Sequence, residues 1–148
     1  MNPFDIKAAL LAKHAQHVVL IHFPIALFIA AVGFDLAARW TRRREFADAA
    51  YYNLLIAAIS TVPVIATGLL AWQFALEGQK VKGILLLHMA TAAISTVVIW
   101  TTLWLQWRAR RERMAAPLLL VPLEVAGVAL IALTGHLGGF LSGVNGPG

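Results

Sequence analysis

Four long apolar stretches, separated by short polar ones, constrain this chain more than any other feature. They run at about His17 to Ala38, Tyr51 to Ala75, Ile84 to Trp107 and Ala116 to Phe140. Each is close to the roughly 20 residues that an α-helix needs to cross a hydrocarbon core about 30 Å thick. A backbone in lipid must satisfy its own N–H and C=O groups, so unbroken apolar runs of this length read as spanning helices. Composition agrees, since 60% of the 148 residues are hydrophobic and 13% are charged, too little polar material for a soluble domain. We therefore expect an all-α integral membrane four-helix bundle, one domain over residues 1–148. The first span starts well inside the chain without a basic leader or a small-residue cleavage site, so it is expected to stay in the mature protein.

The net charge of +5 is spread over short clusters between the spans. It reads as membrane-flanking charge, with lipid as the partner and no nucleic acid. Arg42, Arg43 and Arg44 follow the first span, and Arg108, Arg110, Arg111 and Arg113 follow the third. By the positive-inside rule both clusters belong in the cytoplasm. The loop EGQKVKG, with Lys80 and Lys82, and the uncharged tail SGVNGPG then lie outside, giving an N-out and C-out topology. Ahead of the first span, Asn2 and Pro3 have the pattern of a helix start, and Phe4, Ile6, Leu10 and Leu11 suit a short surface helix. A disordered tail is the competing reading.

There is no cysteine, which removes disulfides, thiolate metal sites and covalent c-type haem attachment. Any cofactor must be held by histidine, carboxylate or backbone. All five histidines fall toward the outer side in this topology. His22 lies five residues into the first span and His88 four or five into the third, which puts both about 6 to 8 Å below the outer boundary. His136 lies near the outer end of the fourth span, His17 at the mouth of the first and His14 above it. A polar side chain inside a span is costly in lipid and marks a functional site by default. Each alone also has a plainer role as a hydrogen bond between helices. Three at matched depth on three helices point to a shared site.

Imidazole ligates haem iron, copper, zinc or nickel, and no carboxylate shares that depth. Helices one and three run parallel and diagonal in such a bundle, so His22 and His88 suit the two axial positions of haem b. His136 is then an alternative ligand or a neighbour of the ligands. Gly135, Gly138 and Gly139 around it would admit a macrocycle or another helix, and helix packing is the commoner use. His17 is a further candidate. Four histidines would suffice for two haems, but their crowding in one leaflet favours one. Lys80 and Lys82 are on the side where propionates would lie, and Trp72 and Trp100 line a pocket or anchor the interface. A histidine-bound copper or zinc site and a cofactor-free structural or assembly subunit are the alternatives. No nucleophile constellation suggests an enzyme on its own.

The stretch HVVLIHFPIAL, from His17 to Leu27, resembles the signature of small four-helix bacterial membrane proteins catalogued as domain of unknown function 2231. TGLLAW from Thr67, His88 opening the third span and GHLGGFL from Gly135 extend the resemblance over nearly the whole chain. Val18, Ala71 and Asn145 stand where that pattern has proline, aspartate and histidine. The resemblance implies a bacterial inner membrane and, through relatives joined to cytochrome c domains, redox chemistry. The expected role is one-electron transfer within a larger membrane redox complex, exchanging electrons with a periplasmic cytochrome c or a quinol.

Pro24 should bend the first helix against the Leu20 carbonyl, with Pro63 and Pro122 bending the second and fourth. Asp35 and Arg39, four apart, suit a helix-surface ion pair. Glu124 is the one acid deep in a span. It is expected to be hydrogen-bonded, with Asn53, Ser60 and Thr61 as partners, or to lie on a proton or quinone route.

Overall fold

The computed structural model describes residues 15–74, 76–114 and 116–143. His14, the possible N-terminal surface helix and Asn145 lie outside the described residues. Four helices follow in order: α1 Ala15–Thr41, α2 Arg44–Phe74, α3 Gly83–Arg111 and α4 Leu120–Leu141. All four are long and apolar enough to cross a membrane, and no strand occurs among the described residues.

Three of the helices run past their apolar spans at the arginine-rich end, whereas α4 begins at Leu120, four residues inside the span expected from Ala116. Arg44–Ala50 is polar in part yet made of helix-compatible residues, so α2 begins seven residues before its apolar span. Two of these helices stop through a left-handed arginine. Arg42 has φ 57° and its N–H reaches Ala38 O at 2.8 Å, while Arg113 has φ 54° with the Met114 N–H returning to Ala109 O at 2.9 Å. These contacts satisfy terminal carbonyls in the manner of a glycine cap. Pro24 and Pro63 lie inside continuous helices. Pro122 does not bend α4 from within. It occupies the first turn, where its missing N–H would have had no helical partner anyway.

Packing is by hairpin. α1 lies chiefly against α2 and α3 chiefly against α4, and the two hairpins meet through thinner α2–α3 and α1–α4 contacts. The core runs along the middle of the bundle through Phe28, Ala31, Val32, Leu54, Ala57, Ala58, Ile99, Leu103 and Ile131. Alanine at 57 and 58 and glycine at 127, all buried, let backbones come close, which is how helices associate where lipid removes the hydrophobic drive. Large apolar side chains such as Val19, Phe23, Ile29, Ile56, Val62, Leu87, Val97 and Leu133 remain on the outside. In water such a surface would aggregate; in a bilayer it is the solvated one.

Two polar contacts stitch the α2–α3 seam. The Trp100 indole N–H donates to Thr61 Oγ1 at 3.1 Å in mid-bundle. At the arginine-rich end Arg110 pairs with Asp48 at 2.6 Å and lies 4.5 Å from the centre of the Tyr51 ring. Trp72 is tied to the connecting loop, donating to Gln79 O at 2.9 Å.

Candidate functional site

The histidine end is built from the starts of α1 and α3 and the ends of α2 and α4. His88, half-buried on α3, donates its Nδ1–H to the Thr134 carbonyl of α4 at 3.0 Å. A carbonyl can only accept, so this bond fixes the tautomer and leaves the Nε2 lone pair available as a ligand atom. The ring lies flush with the backbone of α4: a methyl added at Gly138 would come within 3.2 Å of His88 Cε1. Thr134 also anchors Ser95 of α3, its Oγ1 lying 3.3 Å from Ser95 Oγ. As the Thr134 hydroxyl is spent on Leu130 O at 2.8 Å, Ser95 is the donor there.

The first hairpin repeats this arrangement. His17 of α1 sits 3.2 Å through Nδ1 from Thr67 Oγ1 of α2, and its ring covers Gly68, where an added methyl would lie 3.0 Å from Cε1. Thr67 donates its own proton to Pro63 O at 2.8 Å, so His17 donates to it. In each hairpin, then, a histidine near the start of the first helix packs on a threonine and a glycine near the end of the second. The spacing differs, since Gly68 directly follows Thr67 while Gly138 lies four residues after Thr134, so the likeness is one of position and not of sequence.

His22 is placed differently. It is exposed on α1 along the outward stripe of Val19, Phe23 and Ala26, and donates Nδ1–H to Val18 O of its own helix at 2.7 Å. It therefore shares with His88 the tautomer that presents Nε2, but its bond ties it to no other helix. His136 is also exposed, with its ring edge-on to Phe140 at 5.0 Å between centres. Gly139 is half-buried, and its carbonyl accepts from Ser142 Oγ at 3.1 Å. Lys80 and Lys82 are exposed in the loop at this end. Among the described residues, no three histidine, aspartate or glutamate side chains gather about one point.

With this geometry in view, residues 13–146 match the model of a family described as a predicted membrane protein, DUF2231. The chain belongs to that family. Neither a curated protein nor a solved structure matches it. Membership agrees with the resemblance carried by the HFPIAL stretch and with four apolar helices.

This DUF2231 chain also holds a polar layer at its other end, which sequence reading resolved only in pieces. Asp35 and Arg39 do form an ion pair, but not a surface one: Asp35 is 6% exposed. Glu124, 1% exposed, is met by Gln106 of α3, whose Nε2 donates to Oε1 at 3.3 Å. The α2 residues expected beside it bond elsewhere, Asn53 to Ala49 O, Ser60 to Ala57 O and Thr61 to Ala58 O while accepting from Trp100. Counting inward from the arginine-rich ends would have found the layer. Asp35 lies six residues before the end of α1, Gln106 five before the end of α3 and Glu124 four after the start of α4, so all three are level.

Proposed function

We propose that this chain is a b-type haem-binding membrane protein for one-electron transfer, in which His88 and His22 would hold the iron. The single observation that supports the reading is the shared tautomer: both rings give Nδ1–H to a backbone carbonyl, at 3.0 and 2.7 Å, and so each keeps the Nε2 lone pair free to bind a metal. Histidine ligands are commonly oriented in this way, the second nitrogen being held by a carbonyl so that the first keeps its lone pair. Haem iron also asks least of the chain. The porphyrin supplies four donors and the protein two, whereas a tetrahedral zinc site needs three or four side chains.

His88 is the better-fixed ligand, since Thr134 holds it from a neighbouring helix and Gly138 gives it room. His22 is held only by its own helix and turns about its side-chain torsions without breaking an interhelical bond. When bound, the haem would supply a one-electron carrier. The chain's own contribution is to orient two imidazoles, exclude water with the surrounding apolar side chains and leave Lys80 and Lys82 beside the site to meet carboxylates. We place the histidine end toward the periplasm of a bacterial inner membrane, on the strength of the arginines at the opposite end. One leaflet holds one haem, so a larger membrane redox complex, a periplasmic cytochrome c or a quinol must continue the path.

A second reading has its own support. His17 and His88 already bridge helices, as they would in a cofactor-free structural or assembly subunit. An optical spectrum separates the two. Protein expressed with ample haem should show a Soret band that sharpens and shifts on dithionite reduction, and both His88→Ala and His22→Ala should lose it. Colourless wild-type protein would overturn haem binding, and metal analysis would then test for copper or zinc. Retention of haem by both variants would overturn the ligand pair alone.

A further inference from the structure

Glu124 is almost wholly buried and has one oxygen, Oε2, with no hydrogen-bond partner. The other oxygen takes the Gln106 amide. The charged groups acting on this carboxyl are Asp35 and Arg39, both on α1. From α3 it is faced by the neutral Gln106. The arginines of that helix are engaged elsewhere, Arg108 with Glu112, Arg110 with Asp48 and Arg111 over Trp107.

Two ionised acids side by side in a bundle core would repel, with one of them carrying a bare charged oxygen. Arg39 does not answer for both. Its guanidinium is paired with Asp35 and reaches the carbonyls of Ala116 and Pro117 at 3.4 and 3.3 Å. One added proton resolves the count: on Glu124 Oε2 it turns an orphan acceptor into a donor, with the Asp35 carboxylate as its acceptor and Arg39 as the counter-charge. We infer that Glu124 and Asp35 form a buried proton-binding site, with Glu124 carrying the proton and Gln106 and Arg39 holding the pair in place.

The ligand is a proton rather than a metal cation, because the guanidinium already occupies the cationic position beside the two acids. The site takes its proton from the arginine-rich end, where Arg39 is partly exposed above Asp35. It is independent of the haem reading. His88 and Gln106 stand 18 positions apart on α3, about 27 Å of helix.

Infrared spectroscopy of the detergent-solubilised full chain at neutral pH tests this. Among the described acids, Glu45, Asp48, Glu77 and Glu112 are exposed to solvent, unlike Asp35 and Glu124. Wild type should show one protonated-carboxyl stretch. Glu124→Gln, which keeps an oxygen for Gln106 and a donor for Asp35, should abolish it, and Asp35→Asn should shift its frequency. Absence of the band from wild type, or its persistence in Glu124→Gln, would overturn the site. If Glu124→Gln does not fold, the wild-type band and its response to Asp35→Asn decide: an unmoved band means the proton is not shared with Asp35.

Discussion

Replacing Gly127 by alanine should destabilise the bundle although alanine is the better helix former. A methyl at this position would lie 2.8 Å from Cε1 and Cζ of Phe28 and 2.9 Å from Cγ1 of Val98. Phe28 is 0% exposed at the centre of the core, so its ring has no space to retreat into. Forcing an extra methyl into a packed interior costs about 1–3 kcal/mol. Removing a helical glycine returns at most about 1 kcal/mol of backbone propensity. With contacts this short the clash outweighs the propensity gain, with a net loss of up to about 2 kcal/mol, or as much as roughly 30-fold in the folded-to-unfolded ratio. Unfolding in mixed micelles with increasing SDS, followed by far-ultraviolet circular dichroism, reads this as an earlier midpoint. Gly33→Ala is the control, since nothing lies within 4 Å of an added methyl there, and it should leave the midpoint in place or raise it slightly. Phe28→Leu in the Gly127→Ala background should recover part of the loss, a coupling of at least about 0.5 kcal/mol. If Gly127→Ala unfolds no earlier than wild type, α4 does not meet α1 and α3 at this glycine and the packing derived above is wrong.

Three further outcomes follow from the contacts. Trp100→Phe removes the indole bond to Thr61 and should cost about 0.6 kcal/mol, and no more than about 1.7, in the same SDS titration; a larger loss would mean that the ring packs as core. Gly138→Leu should push the His88 ring from its seat on α4 and, on the haem reading, lower the haem-to-protein absorbance ratio, whereas Gly33→Leu should leave that ratio unchanged. Asp48→Asn should cost under about 1 kcal/mol, and the difference from wild type should shrink in high salt, because both partners of the Arg110 pair are solvent-accessible.

The helices were legible because lipid imposes a simple test: about 20 apolar residues in a row either cross or do not. Their ends were less so. Hydropathy measures what a residue prefers around it, not whether the backbone stays helical, and Arg44–Ala50 is helical without being apolar. The depth of the histidines followed from counting, but their direction did not. His22 and His88 sit at similar depth, yet one lies on the outward stripe of α1 and the other against α4. Only the rotation of each helix about its axis separates these, and helices that are apolar all round carry little pattern to reveal it. Gln106 went unnoticed for a related reason: a lone amide has no signature until Glu124 is opposite it.

Packing by hairpin changes what the connection between α3 and α4 and the one between the two hairpins each contribute. Each hairpin closes its own contact between a histidine, a threonine and a glycine, so these contacts do not depend on how the hairpins meet. The short link from α2 to α3, across Gln79 and Lys80, acts through effective concentration, keeping the two hairpins within reach of each other. Arg39 works in the same direction from the far end. Standing on the first hairpin and grasping the carbonyls of Ala116 and Pro117 on the second, it is a clasp that engages only once the halves have come together.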